Sequence, residues 1–132
     1  MAIRVLYFGN ATQLSASMAK KCRNCSYRVD GVLAAQFSLA RKNYLDAKVA
    51  VVQDDSTKEV IGWGAIFEFD YQFELEIMLY VKCKYRRQGY GTKIAKKLMS
   101  KVPQDIYIKS YVPESDPFNN FFTYSVNDKR II

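Results

Sequence analysis

Arg86-Arg87-Gln88-Gly89-Tyr90-Gly91-Thr92 is the stretch of this chain whose residue types and spacing could do chemistry. Two arginines precede a pair of glycines, and the glycines open a segment with helical periodicity. The first amides of a helix have no intrahelical acceptor, and the aligned peptide dipoles add partial positive charge there. Glycine lets a backbone approach a ligand closely and adopt dihedrals that a Cβ would penalise. With the formal charge of Arg86 and Arg87 added, a phosphate or pyrophosphate is the expected guest. The same residues read equally well as a strand-to-helix connection with solvated arginines. Two phosphate-binding signatures are excluded. No Gly-x-x-x-x-Gly-Lys-Ser/Thr occurs, and Ile94 stands where a dinucleotide fingerprint would need its next glycine.

The elements on either side must position this turn. Before it, Glu74, Glu76, Met78 and Tyr80 alternate with Leu75, Ile77, Leu79 and Val81, the period of a strand buried on at least one face. After it, Ile94, Ala95, Leu98, Met99 and Val102 form an apolar stripe, with Lys93, Lys96, Lys97 and Lys101 on the opposite face of a helix.

Arg86-x-x-Gly89-x-Gly91 resembles the acyl-CoA-binding motif of the GNAT N-acetyltransferase superfamily, Gln/Arg-x-x-Gly-x-Gly/Ala. Leu79-Tyr80-Val81-Lys82-Cys83-Lys84-Tyr85 is similar to the strand ending and spacer before that motif, with Cys83 where many members carry proline. The resemblance covers residues 3 to 126, most firmly 47 to 112. It implies that the backbone amides of Arg87, Gln88, Gly89, Tyr90, Gly91 and Thr92 hold the pyrophosphate of acetyl-CoA, a cosubstrate. It also implies that the strand near Leu79, Tyr80 and Val81 pairs with the pantetheine arm, and that Asn119 or Asn120 hydrogen-bonds to it.

With 132 residues, a single domain with its own core is expected. No apolar run approaches the roughly 20 residues that span a bilayer. Met1-Ala-Ile-Arg leads straight into strand-like sequence, so no signal peptide, no membrane partner and a cytoplasmic location are expected. The 20 basic against 13 acidic residues, a net charge of +7, favour anionic partners: CoA, nucleic acid or an acidic protein surface. A solvated basic surface is the commoner meaning of such a balance. Cys22-x-x-Cys25 looks like half a zinc site, but the chain has no histidine and only Cys83 besides. Reduced thiols and no metal are expected.

Along the chain, Ile3 to Phe8 reads as a strand, and Asn10 or Thr12 as the cap of a helix through Leu14, Met18 and Cys22. Asp30 caps a second expected helix through Leu33, Phe37, Ala40 and Tyr44. Residues 47–53 and 60–69 form an expected hairpin, with Gly62 and Gly64 marking a bulge or close backbone approach. Residues 105–112 alternate as a fifth strand that returns by a helical crossover, hence parallel to the fourth. A short helix over 118–124 and a last strand over 126–132 complete the chain. The expected fold is α/β (α+β), a GNAT-like mixed sheet of about six strands with helices on both faces. An antiparallel meander leads into parallel fourth and fifth strands, which by the resemblance splay apart.

An amine attacking a thioester must be neutral, and the departing thiolate benefits from a proton. Without histidine, the base must be Asp, Glu, Tyr or an ordered water. The resemblance implies a glutamate on the fourth strand, Glu76 in preference to Glu74, and burial of a carboxylate suits that role. It implies a tyrosine on the last helix as general acid, for which Tyr124 is the match; a register placing Phe122 there would leave no hydroxyl. It also makes the segment joining the first two helices a wall of the acceptor site, through Tyr27, Arg28 and Asp30. The acceptor is then an amine on a small molecule or a protein, or one linked to nucleic acid. A homodimer and a noncatalytic CoA-binding module fit the same fold.

Overall fold

A computed structural model of the chain describes residues 2–25, 47–69, 74–110 and 121–132. The expected helix over 30–44, Tyr27, Arg28, Asp30, Asn119 and Asn120 lie outside the described residues. The elements are β1 (Ile3–Phe8), α1 (Ala16–Asn24), β2 (Lys48–Asp54), β3 (Val60–Phe69), β4 (Glu74–Val81), α2 (Tyr90–Met99) and β5 (Lys109–Ser110). Strands β1 to β4 pair antiparallel in sequence order, and the two residues of β5 pair parallel with β4, Glu76↔Lys109 and Ile77↔Ser110.

Helices cover both faces of this sheet. Ile94, Ala95, Leu98 and Met99 of α2 pack on Ala50, Val52, Ile61, Ile77, Leu79 and Val81. Cys22 of α1 and the following Cys25 pack with Val49, Val51, Trp63, Ala65, Met78 and Tyr80 on the other side. The alternation of β4 therefore divides its residues between two cores. β2 is buried from Val49 through Gln53 because each face has its own cover, which explains its unbroken apolar run. Each large aliphatic side chain in these layers contributes about 1.5–3 kcal/mol on burial. Gly64 sets the spacing of α2 from the sheet: a Cβ there would lie 2.8 Å from Cγ2 of Ile94.

Two expectations, the helix cap and the last strand, are corrected, and the bulge or close approach at Gly62 and Gly64 is met. Asn10 caps only a 3-10 turn, Ala11–Gln13, by accepting from the Thr12 amide; the helix starts later, where Ser15 Oγ accepts from Met18 N–H at 3.1 Å. Serine is as good a cap as asparagine, and the intervening Leu14 turns into the core first. The bulge lies between Val52↔Gly62 and Gln53↔Val60, leaving Ile61 as the extra residue. The last strand over 126–132 is absent from the described residues. A π-helical turn, Phe121–Val126, is followed by Asn127 at φ 52° and a single parallel bridge, Ile108↔Ile131.

Arg130 fastens that ending to α2. Its Nη1 donates to the Val102 carbonyl at 2.6 Å and its Nη2 to that of Met99 at 3.1 Å. Nε and Nη2 also donate to the two oxygens of Asp128, at 2.9 and 2.6 Å. The carbonyls at the end of α2 lack intrahelical donors, so a guanidinium turned inward supplies what that terminus needs. Among the described residues no helix is long and apolar enough to cross a membrane.

Candidate active site

The anion turn forms where the β4 backbone leaves the sheet. A 3-10 turn, Cys83–Tyr85, reverses the chain, and Arg86 Nε donates to the Val81 carbonyl at 2.8 Å while its guanidinium lies 5.2 Å from the ring centre of Tyr80. Arg87 at φ 64° and Gly89 at φ 87° are both left-handed, which bends the chain into the first turn of α2. Left-handed residues alternating with ordinary ones turn successive amides into the concave arrangement that binds anions. Gly89 is the N-cap and has no side-chain oxygen to offer. The amides of Tyr90, Gly91 and Thr92 consequently have no acceptor within their own helix.

A cleft of about 560 Å³ opens at this turn, lined by Leu79, Val81, Arg86, Arg87, Gly89, Tyr90, Gly91 and Thr92 together with Tyr85, Phe121 and Ser125. No atom lies within 4 Å of a Cβ built on Gly89, so the space above the turn is open. Gly91 is different: a Cβ there would lie 3.2 Å from Cζ of Phe121, whose ring closes one side of the cleft.

The adjoining edge of β4 is polar. Lys82 N–H donates to the Ile61 carbonyl at 2.9 Å, which fixes the antiparallel alternation between β3 and β4. Even-numbered residues of β4 bond to β3, and Leu79 and Val81 turn their peptide groups the other way. Among the described residues the β5 ladder runs to Ile77↔Ser110. An extended polar chain laid beyond that pair would meet an N–H and C=O from Leu79.

Glu59, just before β3, fastens the turn from outside. Its Oε2 accepts from the Tyr85 hydroxyl at 2.9 Å, and its Oε1 lies 3.1 Å from Lys82 Nζ and 3.5 Å from Lys84 Nζ. The Tyr85 hydrogen bond, then that of Lys82, holds the Glu59 carboxyl below the usual glutamate range. Tyr85 in turn meets Tyr90 edge-on, with ring centres 6.5 Å apart. Glu59, Ser125 and the lining role of Tyr85 were not expected from the sequence. Tyr85 stood within the spacer of the motif, whereas Glu59 carried no signal because its partners lie more than 20 residues away.

Not all expected site residues meet in this cleft. Gln88 is exposed and does not line it, and the Tyr80 side chain is buried in the opposite core layer. Glu76 is 9 % exposed and shares the strand face of Met78 and Tyr80, so it lies on the α1 side of the sheet. Tyr124 belongs to the π-helical turn between Phe121 and Ser125, both of which line the cleft. The side chains of Glu74 and Tyr124 lie outside what is described.

The sequence profile of the acetyltransferase (GNAT) family matches residues 17–122. The chain belongs to the GNAT family of acetyltransferases. No curated protein sequence matches it. Among solved structures, this acetyltransferase is similar to Escherichia coli ElaA, at 17 % identity and a TM-score of 0.59 over 75 % of this chain and 68 % of that one. It is also similar to an aminoglycoside acetyltransferase from an uncultured soil metagenomic sample, solved with sisomicin, at 14 % identity and a TM-score of 0.57 over 94 % and 86 %. N-acetylglutamate synthase from Neisseria gonorrhoeae, solved with coenzyme A and N-acetyl-glutamate, matches at 17 % identity and a TM-score of 0.51 over 74 % of this chain and 22 % of that one. At these identities the likeness shows a shared mixed α/β fold.

Proposed function

We propose that this acetyltransferase moves an acetyl group from acetyl-CoA to a primary amine by direct attack in a ternary complex, within a single domain. The observation that carries this is one cleft in which a helix start with no side-chain cap and two arginines converge beside the end of β4. The pyrophosphate takes the amides of the Gly89–Thr92 turn and the charge of Arg87. The pantetheine arm pairs with the backbone of Leu79 and the amide of Val81, helped by Asn119. A neighbour of this fold was solved with coenzyme A, which supports the donor assignment.

Glu76 is the base in this mechanism, acting on an acceptor that enters from the α1 side. The Glu76 carboxylate takes a proton from the amine, whose nitrogen bonds to the thioester carbon as the carbon–sulfur bond breaks. Tyr124 gives its proton to the departing thiolate, and the Leu79 amide supports the oxyanion between these steps. Tyr27, Arg28 and Asp30 are the proposed acceptor contacts. The similar aminoglycoside acetyltransferase was solved with sisomicin, which supports an amine on a small molecule as one acceptor class.

Isothermal titration with acetyl-CoA tests the donor site. Wild type should bind, and Gly89→Glu, which sets a carboxylate over the helix start, should abolish binding. Equal affinity in both would remove the assignment. Release of CoA across a panel of amines then tests transfer. Binding without turnover on any amine would leave a noncatalytic CoA-binding module.

A further inference from the structure

A second cleft, of about 590 Å³, lies at the other end of α2, about 15 Å of helix away from the Gly89 turn. Met99 and Val126, both buried, form its apolar floor. Asp128 and Arg130 line it too, but each is spent on the other and on the end of α2: both Asp128 oxygens accept from Arg130, and Arg130 also reaches three backbone carbonyls. Among the described residues, the charges left to face the cleft are Lys96 and Lys129, both exposed, and no lining carboxylate besides Asp128 opposes them. Tyr107 stands at the same rim with 69 % of its surface exposed, an unusual place for a large ring. Gln104 lines the cleft as well and offers both a donor and an acceptor.

Cations beside an exposed aromatic face, over an apolar floor, match a polymer that alternates phosphates with flat rings. We propose that this cleft binds single-stranded nucleic acid, with a base stacked on Tyr107 and flanking phosphates on Lys96 and Lys129. Lys93, on the exposed side of α2, extends the cationic track towards the helix start, and the net charge of +7 favours the encounter. An acidic peptide would satisfy the lysines but leave the exposed ring without a flat partner. The inference stands apart from acetyl transfer and needs no acetyl donor.

Fluorescence anisotropy of a labelled single-stranded oligonucleotide of about 12 nucleotides tests it, with the full chain and no acetyl-CoA present. Binding should weaken as salt rises, and Lys96→Ala and Lys129→Ala should each lower the slope of log affinity against log salt by about 0.7. Tyr107→Ala should weaken binding about tenfold at fixed salt, whereas Tyr107→Phe should retain it. Both substitutions fall on an exposed side chain, and thermal melts of the variants confirm that folding is kept. The proposal would be overturned by no binding near 0.1 M salt, by no response to Tyr107→Ala, or by displacement of the oligonucleotide by saturating acetyl-CoA. Polyglutamate binding as tightly as the oligonucleotide would overturn it in favour of an acidic peptide.

Discussion

The Tyr85 hydroxyl donates to Oε2 of Glu59 at 2.9 Å, tying the start of β3 to a wall of the cofactor cleft. Because this bond and that of Lys82 stabilise the carboxylate, the folded pKa of Glu59 is depressed. Such a group stabilises the fold above its unfolded pKa and loses that contribution as pH falls through the folded value. Acidification below about pH 4.5 should lower the melting temperature of wild type more than that of Glu59→Gln. At neutral pH the variant should bind acetyl-CoA a few-fold more weakly, read by titration, because Tyr85 loses an anchor.

Gly89 sits at φ 87° in open space, so a methyl group there meets backbone strain and no neighbour. Gly89→Ala should cost about 1 kcal/mol in a urea titration. Its acetyl-CoA affinity should fall as the turn relaxes away from the left-handed conformation. Gly91→Ala should act by another route, since its methyl group would press on Phe121. There the loss of affinity should be recovered in part by Phe121→Leu.

Replacing Glu76 with Gln keeps the shape of the side chain and removes the proposed base. The turnover number should fall about 100-fold or more, with the acetyl-CoA dissociation constant unchanged. Raising the pH should restore part of the rate, because a larger share of the acceptor amine is then already neutral. Full activity of Glu76→Gln would remove this residue from the mechanism.

Much of this site could be read from local pattern. The alternation of Glu74 to Val81 marked a strand buried on at least one face, and the spacing of Arg86, Gly89 and Gly91 marked the turn. What escaped notice depends on contacts between distant segments. Glu59 looks like any hairpin glutamate until Lys82 and Tyr85 arrive beside it. Arg130 looks like a surface charge in a terminal strand, and only the exposed carbonyls of α2 explain why it turns inward. Gln88 and Tyr80 fell within the motif by number but face away from the cleft, since a turn and a strand each aim neighbouring side chains in different directions.

Arg130 should therefore matter for stability and not for donor binding. Only 11 % of its side chain is exposed, and its bonds to Met99, Val102 and Asp128 are all charge-assisted. Arg130→Ala should destabilise by about 2 kcal/mol in chemical unfolding. Arg130→Lys should recover little of it, because a single ammonium cannot span three carbonyls and a carboxylate.

Burial of Cys22 and Cys25 against the sheet bears on how turnover can be followed. Desolvation, with Cys25 close by, pushes the Cys22 thiol up to about 12, while Cys83 is exposed beside the anion turn. A chromogenic disulfide reagent that reports freed coenzyme thiol would register one protein sulfhydryl per folded chain as background. Colour from the other two would appear only as chains open, so the same reagent used without an acceptor becomes a clock for unfolding.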